Sequence, residues 1–318
     1  MKLHTIIVNF RTSGMTIESA EAALAAMEGV PGGITIVDND SGDGSLARMA
    51  QEAARRGWPA DRVAIVDSGR NGGFGAGNNF ALRRGLPGGG RADLVYLLNS
   101  DALPHPDAIR ALIDWLAAHP QAGIACSRLQ GEDGVLHPTA FRFPSAASEF
   151  EGACRSGPVT RLLRNRIVPM PQPVQSGPVG WSAGASMMIR QEVLDRIGLF
   201  DETFFLYFEE TDLCLRAAAA GWQTHYVLES LVTHIGSVST GMKDWERVPD
   251  YWYASRHHYF RKHHGTRGAT AATAAHLAGG ALWRLRCLLQ RRPTGIPPDH
   301  LRRLAAHALM RKPKGISA

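Results

Sequence analysis

Along the first hundred residues, short apolar runs alternate with longer stretches in which alanine and leucine recur at helical spacing. The runs LHTIIVNF, ITIVDND, RVAIVDSG and DLVYLLNSD are rich in β-branched residues at successive positions, the pattern of strands buried on both faces. Between them, MTIESAEAALAAMEG, GSLARMAQEAARRG and AGNNFALRRG have helical spacing and each closes on a glycine, a common helix stop. This rhythm predicts an α/β fold: a doubly wound, mostly parallel sheet with flanking helices on both sides.

In such sheets the ligand lies beyond the carboxyl ends of the strands. The first run ends at Asn9, the second at Asp38-Asn39-Asp40-Ser41, the third at Ser68-Gly69-Arg70-Asn71 and the fourth at Asn99-Ser100-Asp101. Polar strand ends in series predict the rim of a site. From about Arg128 to Val179 the pattern loosens into sequence rich in Pro, Gly and Arg, with PMPQPVQSGP read as an extended connection. Regularity returns with GWSAGASMMIR as a strand, QEVLDRIG as a short helix and GWQTHYVLESLVTH as a strand leading to His234. No internal repeat is visible.

Composition narrows the class. The 318 residues, 44% hydrophobic and 20% charged, suit one large domain or one domain with an appendage. No apolar run approaches the roughly 18 residues that span a bilayer. The N-terminal MKLHTIIVNF lacks a small-residue cleavage site and is read as a strand, not a signal peptide. Cys126, Cys154, Cys214 and Cys287 lie far apart with no C-x-x-C pair, which argues against a zinc site or disulfide framework and for a reducing cytoplasm. The net charge of +6 gathers after Arg256, where RHHYFRKHHGTR, WRLRCLLQRR and RKPK are opposed by Asp299 alone. Such a segment is either a solvated tail or a surface that meets anions, among them phospholipid headgroups or a phosphorylated substrate. Nucleic acid binding would rest on charge alone, and no motif supports it.

Four motifs carry candidate chemistry. NGGFGAGNN, Asn71 to Asn79, is a Gly-rich loop opening a helix, whose amides can cradle phosphate or simply make a tight turn. It is not the dinucleotide fingerprint, because Asn78 stands where the last glycine belongs and the loop follows the third strand. In LLNSD, Asn99 replaces the first acid of a D-x-D metal clamp and leaves Asp101 as the one carboxylate, which also suits helix capping. His234 closes the last strand; a hard divalent ion already held by diphosphate oxygens needs few protein ligands, and one Asp with one His would serve. FDETFFLYFEETDLCLR sets Phe204, Phe205, Tyr207 and Phe208 directly before Glu209, Glu210 and Asp212. Acids suit a helix's first turn, and Asp212 with Arg216 is an i,i+4 pair. Aromatic walls would also raise a carboxylate's pKa and exclude water, as a general base for an alcohol requires.

The ordered series IIVNF, VDNDSGDGS, NGGFGAGNN, LLNSD, WSAGASMMIR and FDETFFLYFEETDLCLRAAAAGW resembles family 2 inverting glycosyltransferases of the GT-A fold. The bacterial rhamnosyltransferase-like branch, which builds cell-surface polysaccharide, is the nearest. The resemblance runs from about residue 3 to 240, and YWYASRHHYFRKHHG resembles the end of that branch's domain. It implies a glycosyltransferase domain over 1–240 and a basic, helical C-terminal extension over 241–318. It further implies that Asn9, Asp38 and Asn39 contact the nucleoside, that Gly73, Asn78 and Asn99 lie by the nucleotide, and that Asp101 and His234 hold a divalent metal, Mg or Mn. Trp181 and Gly184 would line the donor and acceptor sugars with Glu209 and Asp212. Glu210 falls where the family's E-D-x-D-L pattern carries its base, usually Asp, so Glu209 and Asp212 stay open for that role. Ser100 stands where the branch usually has Pro. The implied partners are a nucleotide-sugar, best matched by dTDP-L-rhamnose, and a saccharide or lipid-linked saccharide acceptor. A UDP-sugar donor and a non-catalytic nucleotide-sugar-binding protein are the alternatives. ALWRLRCLLQRR, a basic amphipathic helix, suits peripheral contact with the inner face of the cytoplasmic membrane.

Overall fold

In the computed structural model the four N-terminal apolar runs become parallel neighbours: β1 (Leu3–Asn9), β2 (Gly32–Asp38), β3 (Val63–Asp67) and β4 (Leu94–Asn99). The structure describes residues 1–236 and 247–309. The expected domain boundary between 240 and 241 lies outside them. Among the described residues a single mixed sheet runs β3-β2-β1-β4-β8-β6-β9-β5. Its other strands are β5 (Ala102–Pro104), β6 (Ala122–Gln130), β7 (Gly177–Val179), β8 (Ser186–Arg190) and β9 (Gln223–His234), with β7 paired to β9. β8 lies antiparallel to both β4 and β6, whereas β6 and β9 are parallel.

The flanking helices follow the periodicity, with α1 (Ser13–Ala26), α2 (Ser45–Arg55) and α4 (Ala108–Ala118) close to expectation. Small residues let α1 approach the sheet: Ala20 and Ala23 are fully buried and join a core with Ile7, Ile34, Tyr96, Leu98, Ile109 and Leu112. α3 (Gly73–Arg84) begins earlier than the sequence pattern indicates. Gly75 and Gly77 lie in helical turns close against neighbouring elements, whereas Gly73 opens the helix with a left-handed φ of 85°. A Cβ at Gly77 would come within 2.8 Å of Val8 Cγ1, and one at Gly75 within 3.0 Å of Phe200 Cβ. α7 (Gln191–Ile197) and α8 (Glu209–Ala219) belong to the same unit and pack on β8 and β9 respectively.

The chain forms two compact units. The sheet unit comprises Met1–Phe141, Pro171–Glu202 and residues 209–236. The helical unit draws in two internal segments, Arg142–Met170 and Thr203–Phe208, besides residues 247–309. The stretch where the sequence pattern loosens contributes α5 (Ala146–Cys154) and the short α6 (Gly157–Leu162), both ahead of PMPQPVQSGP, which carries no helix. Ser145 starts α5 with a capping box shared with Ser148. α9 (Asp250–Leu289) breaks at Gly265, whose φ of 65° interrupts the helix, and α10 (His300–Leu309) packs against it. Arg256, 1% exposed, is the largest fully buried side chain. It is compensated by two hydrogen bonds to Glu149 Oε2, from Nε at 3.0 Å and Nη2 at 2.8 Å, as a buried charge requires.

Candidate active site

Parallel register places the polar strand ends in one row: Asn9 pairs with Asp38, Asp38 with Asp67, and Val8 with Asn99. Asn9 and Asp38 are both buried and locked together. Asn9 Nδ2 donates to Asp38 Oδ1 at 2.6 Å and to Ser41 Oγ at 3.1 Å, while Ser41 Oγ donates to Asp38 Oδ1 at 2.6 Å. Asn39 Nδ2 reaches the next element, donating to Asn71 Oδ1 at 3.0 Å and to Gly73 O at 3.2 Å. Gly73 takes a φ of 85°, which only glycine adopts without strain. Asn78 is spent locally, its Nδ2 donating to Phe74 O at 2.9 Å one turn back.

Asp101 and His234 meet through strand pairing. Asp101 directly precedes β5, whose first residue Ala102 faces His234 across the β5–β9 ladder. His234 Nε2 lies 3.2 Å from Asp101 Oδ1 and 3.4 Å from Asn99 Nδ2. Asp101 Oδ2 accepts from the Gly236 amide at 3.2 Å. Among the described residues no group of three or more His, Cys, Asp or Glu is arranged to hold a metal. The Asp–His pair, one hard oxygen and one imidazole nitrogen on a buried rim, fits an ion whose remaining ligands come from a diphosphate.

β8 brings the second half of the site to the same end of the sheet. It runs antiparallel to β4, so the loop before it arrives where β4 ends, and the Asn99 amide donates to Ala185 O at 3.0 Å. In that loop Trp181 stacks on Phe141 with centroids 4.3 Å apart. The Gly184 amide donates to Glu210 Oε1 at 3.2 Å. A Cβ at Gly184 would sit 2.8 Å from Glu210 Cγ and Oε1 and 3.2 Å from Phe74 Cε1. Glycine is thus the residue that lets the carboxylate close on the backbone amide, and Phe74 ties α3 to the same point.

The three acids of α8 divide by environment. Asp212 is fully buried and paired with Arg216, whose Nε donates at 2.8 Å. The same guanidinium also donates to Ile197 O and Leu199 O, so this ion pair fastens α8 to the loop before it. Glu209 is 1% exposed and its Oε2 has no partner among the described residues. Burial, then the charge of Glu210, holds its carboxyl well above the usual range. Burial also raises Glu210, against the opposing pull of backbone amides including that of Gly184. The preceding aromatics make their ring contacts in the helical unit: Phe204 with His258, Phe205 with Tyr251, and Phe208 with Trp252 and Tyr259. Tyr207 and Phe208 both take left-handed backbone, φ 68° and 71°. Each costs about 1–3 kcal/mol and clusters of this kind mark functional segments. The strain sits immediately before the two glutamates.

Asn79 is the residue that sequence reading passed over. Fully buried, it accepts from the Phe200 amide at 3.0 Å and donates to Phe200 O at 2.9 Å and Glu202 Oε1 at 3.0 Å. It thereby pins α3 to the strand of chain leading to α8. Its signal was an asparagine inside an apolar helix, a position that disfavours it unless its amide is used.

Solved structures share this fold. A mannosyltransferase from Pyrobaculum calidifontis in complex with GDP-Man and Mn2+ matches with a TM-score of 0.51 at 15% identity, over 96% of this chain and 86% of that one. TarS of S. aureus matches with a TM-score of 0.51 at 14% identity, over 81% of this chain and 38% of that one. The fold is the GT-A glycosyltransferase fold. The model of the glycosyltransferase-like family 2 matches residues 5–261, and the chain belongs to that family of glycosyltransferases. An N-acetylglucosaminyl-diphospho-decaprenol L-rhamnosyltransferase of Mycobacterium tuberculosis is 29% identical over 240 residues, 72% of this chain and 74% of its own length. Rhamnosyltransferase WbbL of Escherichia coli is 29% identical over 157 residues, 49% of this chain and 58% of its own.

Proposed function

We propose that this chain is a metal-dependent, inverting transferase that moves L-rhamnose from dTDP-L-rhamnose to a hydroxyl of a lipid-linked saccharide in cell-surface polysaccharide synthesis. The observation that carries the reading is Glu210, a desolvated carboxylate held by the Gly184 amide at the rim that also bears Asp101 and His234. The choice of sugar and acceptor is supported by the names of the relatives.

Glu210 takes the proton of the acceptor hydroxyl as its oxygen forms a bond to the anomeric carbon. The bond from that carbon to the diphosphate oxygen breaks on the opposite face, and its electron pair leaves with the nucleotide. One displacement inverts the centre. The raised affinity of Glu210 for a proton matches it to an alcohol better than an ordinary surface carboxylate. Asp101 and His234 would hold the divalent ion, which when bound offsets the charge that collects on the leaving diphosphate. The row of Asn9, Asp38 and Asn39, held by hydrogen bonds to one another and to Asn71 and Gly73, is assigned to the nucleoside. Trp181 and Gly184 border the sugar. Asp212, engaged by Arg216, positions α8.

A UDP-sugar donor, galactofuranose or another hexose, is the second reading; a relative in Haloferax volcanii named a hexosyltransferase, 27% identical over 217 residues, 68% of this chain and 61% of its own, supports a hexose and leaves the nucleotide to experiment. Melting temperature with dTDP, UDP and GDP, each with and without manganese, separates them, since a ligand of the native state alone must stabilise it. A shift with dTDP that grows with the metal is expected. A shift with UDP alone would move the donor to the second reading, and no shift with any diphosphate would remove the transferase assignment of this rim.

A further inference from the structure

The second half of α9 carries apolar residues on its exposed face as well as on its buried one. From 271 to 289 every exposed position is Ala or Leu, while Thr273 is turned inward. Leu282, Leu285, Leu288 and Leu289 are 49%, 53%, 75% and 76% exposed. Their spacing puts them on one face. The opposite face is already taken: a Cβ at Gly279 would meet Phe150 O of α5 at 2.6 Å, and one at Gly280 would meet Leu301 of α10 at 2.7 Å. A surface helix normally presents charged residues where this one presents leucines.

Charge says what kind of surface covers that face. Trp283, on the same helix, has three guanidiniums on its ring: Arg155, Arg286 and Arg292, at 5.5, 4.8 and 4.6 Å from the centroid. Arg284 donates to the Pro298 carbonyl at 2.8 Å, and Arg291 is exposed beside them. Between 251 and 298 the chain has eight Lys or Arg and no Asp or Glu. Among the described residues none of these five arginines pairs with a carboxylate. Like charges gathered without counter-charges, around an apolar stripe, match a planar surface with an apolar interior and anionic rim. A second copy docked leucine to leucine would bring the same arginines against one another. Among the described residues no helix is long and apolar enough to cross a membrane, so the helix lies along the surface.

We propose that this face of α9 docks on an anionic phospholipid bilayer, with the leucines at the boundary of headgroups and acyl chains and the arginines on lipid phosphates. The inference stands on the helical unit and does not depend on the donor assigned to the sheet unit.

The test is co-sedimentation of the full chain with phosphatidylcholine vesicles, with and without phosphatidylglycerol. Two variants at exposed positions are compared, Leu285→Ser/Leu289→Ser and Arg291→Glu/Arg292→Glu, each first shown to melt as wild type does. Binding is expected only with the anionic lipid, weakening with salt, and falling at least about tenfold in either variant. Three outcomes overturn the proposal: no binding of the wild type to anionic vesicles, binding that the leucine variant leaves unchanged, or a dimer in sedimentation velocity that the leucine variant dissolves. The last assigns the face to a second copy.

Discussion

Two adjacent carboxyls at the start of α8 differ in what their oxygens touch, and that difference assigns their work. Glu210 is held by the Gly184 amide, whereas Glu209 has a buried oxygen with no partner among the described residues. Glu210→Gln keeps the shape and loses the base, so kcat should fall by about 10²–10⁴. Glu209→Gln copies the protonated state that burial favours and should leave kcat near that of wild type. The acid limb of the kcat–pH profile should lie above the ordinary carboxylate range of about 4.3, with rate rising as Glu210 deprotonates. Stability adds a second readout. A carboxyl whose folded pKa is raised contributes most below its unfolded pKa, and the contribution is lost as pH rises through the folded value. At neutral pH, Glu209→Gln should therefore melt higher than wild type, and the gain should shrink towards acid pH. Loss of turnover in Glu209→Gln with retention in Glu210→Gln would exchange the two roles. Sequence could place both acids at a helix start, but not separate them, because the separation depends on an amide 26 residues away.

At the scale of elements, the site depends on how closely three pieces of chain approach. β8 returns beside β4, α3 lies against β1, and α8 starts where the loop before β8 ends. Strand and helix types were legible because their periods are regular, and the polar strand ends gave Asn9, Asp38, Asn99 and Asp101 together. The glycines were harder. In NGGFGAGNN they read as a loop opening a helix, either a phosphate cradle or a tight turn, and Gly75 and Gly77 prove helical and small because Phe200 and Val8 leave no room. Gly184 reads by pattern as a strand residue and by resemblance as a residue beside the sugars; neither reading carries its contact with Glu210. Gly184→Ala should cut turnover more than tenfold, because the methyl would overlap Glu210 Cγ and Oε1 at 2.8 Å and a small misplacement of a catalytic group costs about 10²-fold. The nucleotide-induced rise in melting temperature should persist, since the row from Asn9 to Asn39 is untouched. Steady-state kinetics alongside melting curves would check this; a variant with full turnover would free Glu210 from Gly184.

For the whole molecule, the division into units was the least legible feature, since the helical unit is assembled from segments far apart in sequence. Its anchor, Glu149 with Arg256, joins residues 107 positions apart, and no local period announces such a pair. Both units bury a histidine kept neutral by desolvation, and this makes a joint prediction about acid. In the sheet unit His4 is 2% exposed and bonded to Thr35 Oγ1 at 2.8 Å, with its pKa lowered to about 4. In the helical unit His300 is bonded to Tyr253 Oη at 2.8 Å and faces His276, Arg256 and Arg284, with its pKa also lowered to about 4 by burial and then by those charges. A histidine with a depressed folded pKa is neutral in the fold while the unfolded chain takes up a proton near pH 6.5. Its stabilisation is complete above that pH and lost as pH falls towards 4. For His4 alone the drop from 6.5 to about 4 corresponds to about 3 kcal/mol, a large share of an ordinary domain's stability. Glu149, lowered by His276 and Arg256 against its burial, loses its contribution only at still lower pH, whereas Glu209 opposes the trend. The melting temperature should therefore fall steadily from about pH 7 to about pH 4.5. The C2 proton resonances of His4 and His300 should still report neutral imidazole near pH 5.5 while those of exposed histidines have titrated. A flat melting temperature across that range, or ordinary titration of both rings, would mean that neither histidine is held neutral by the fold.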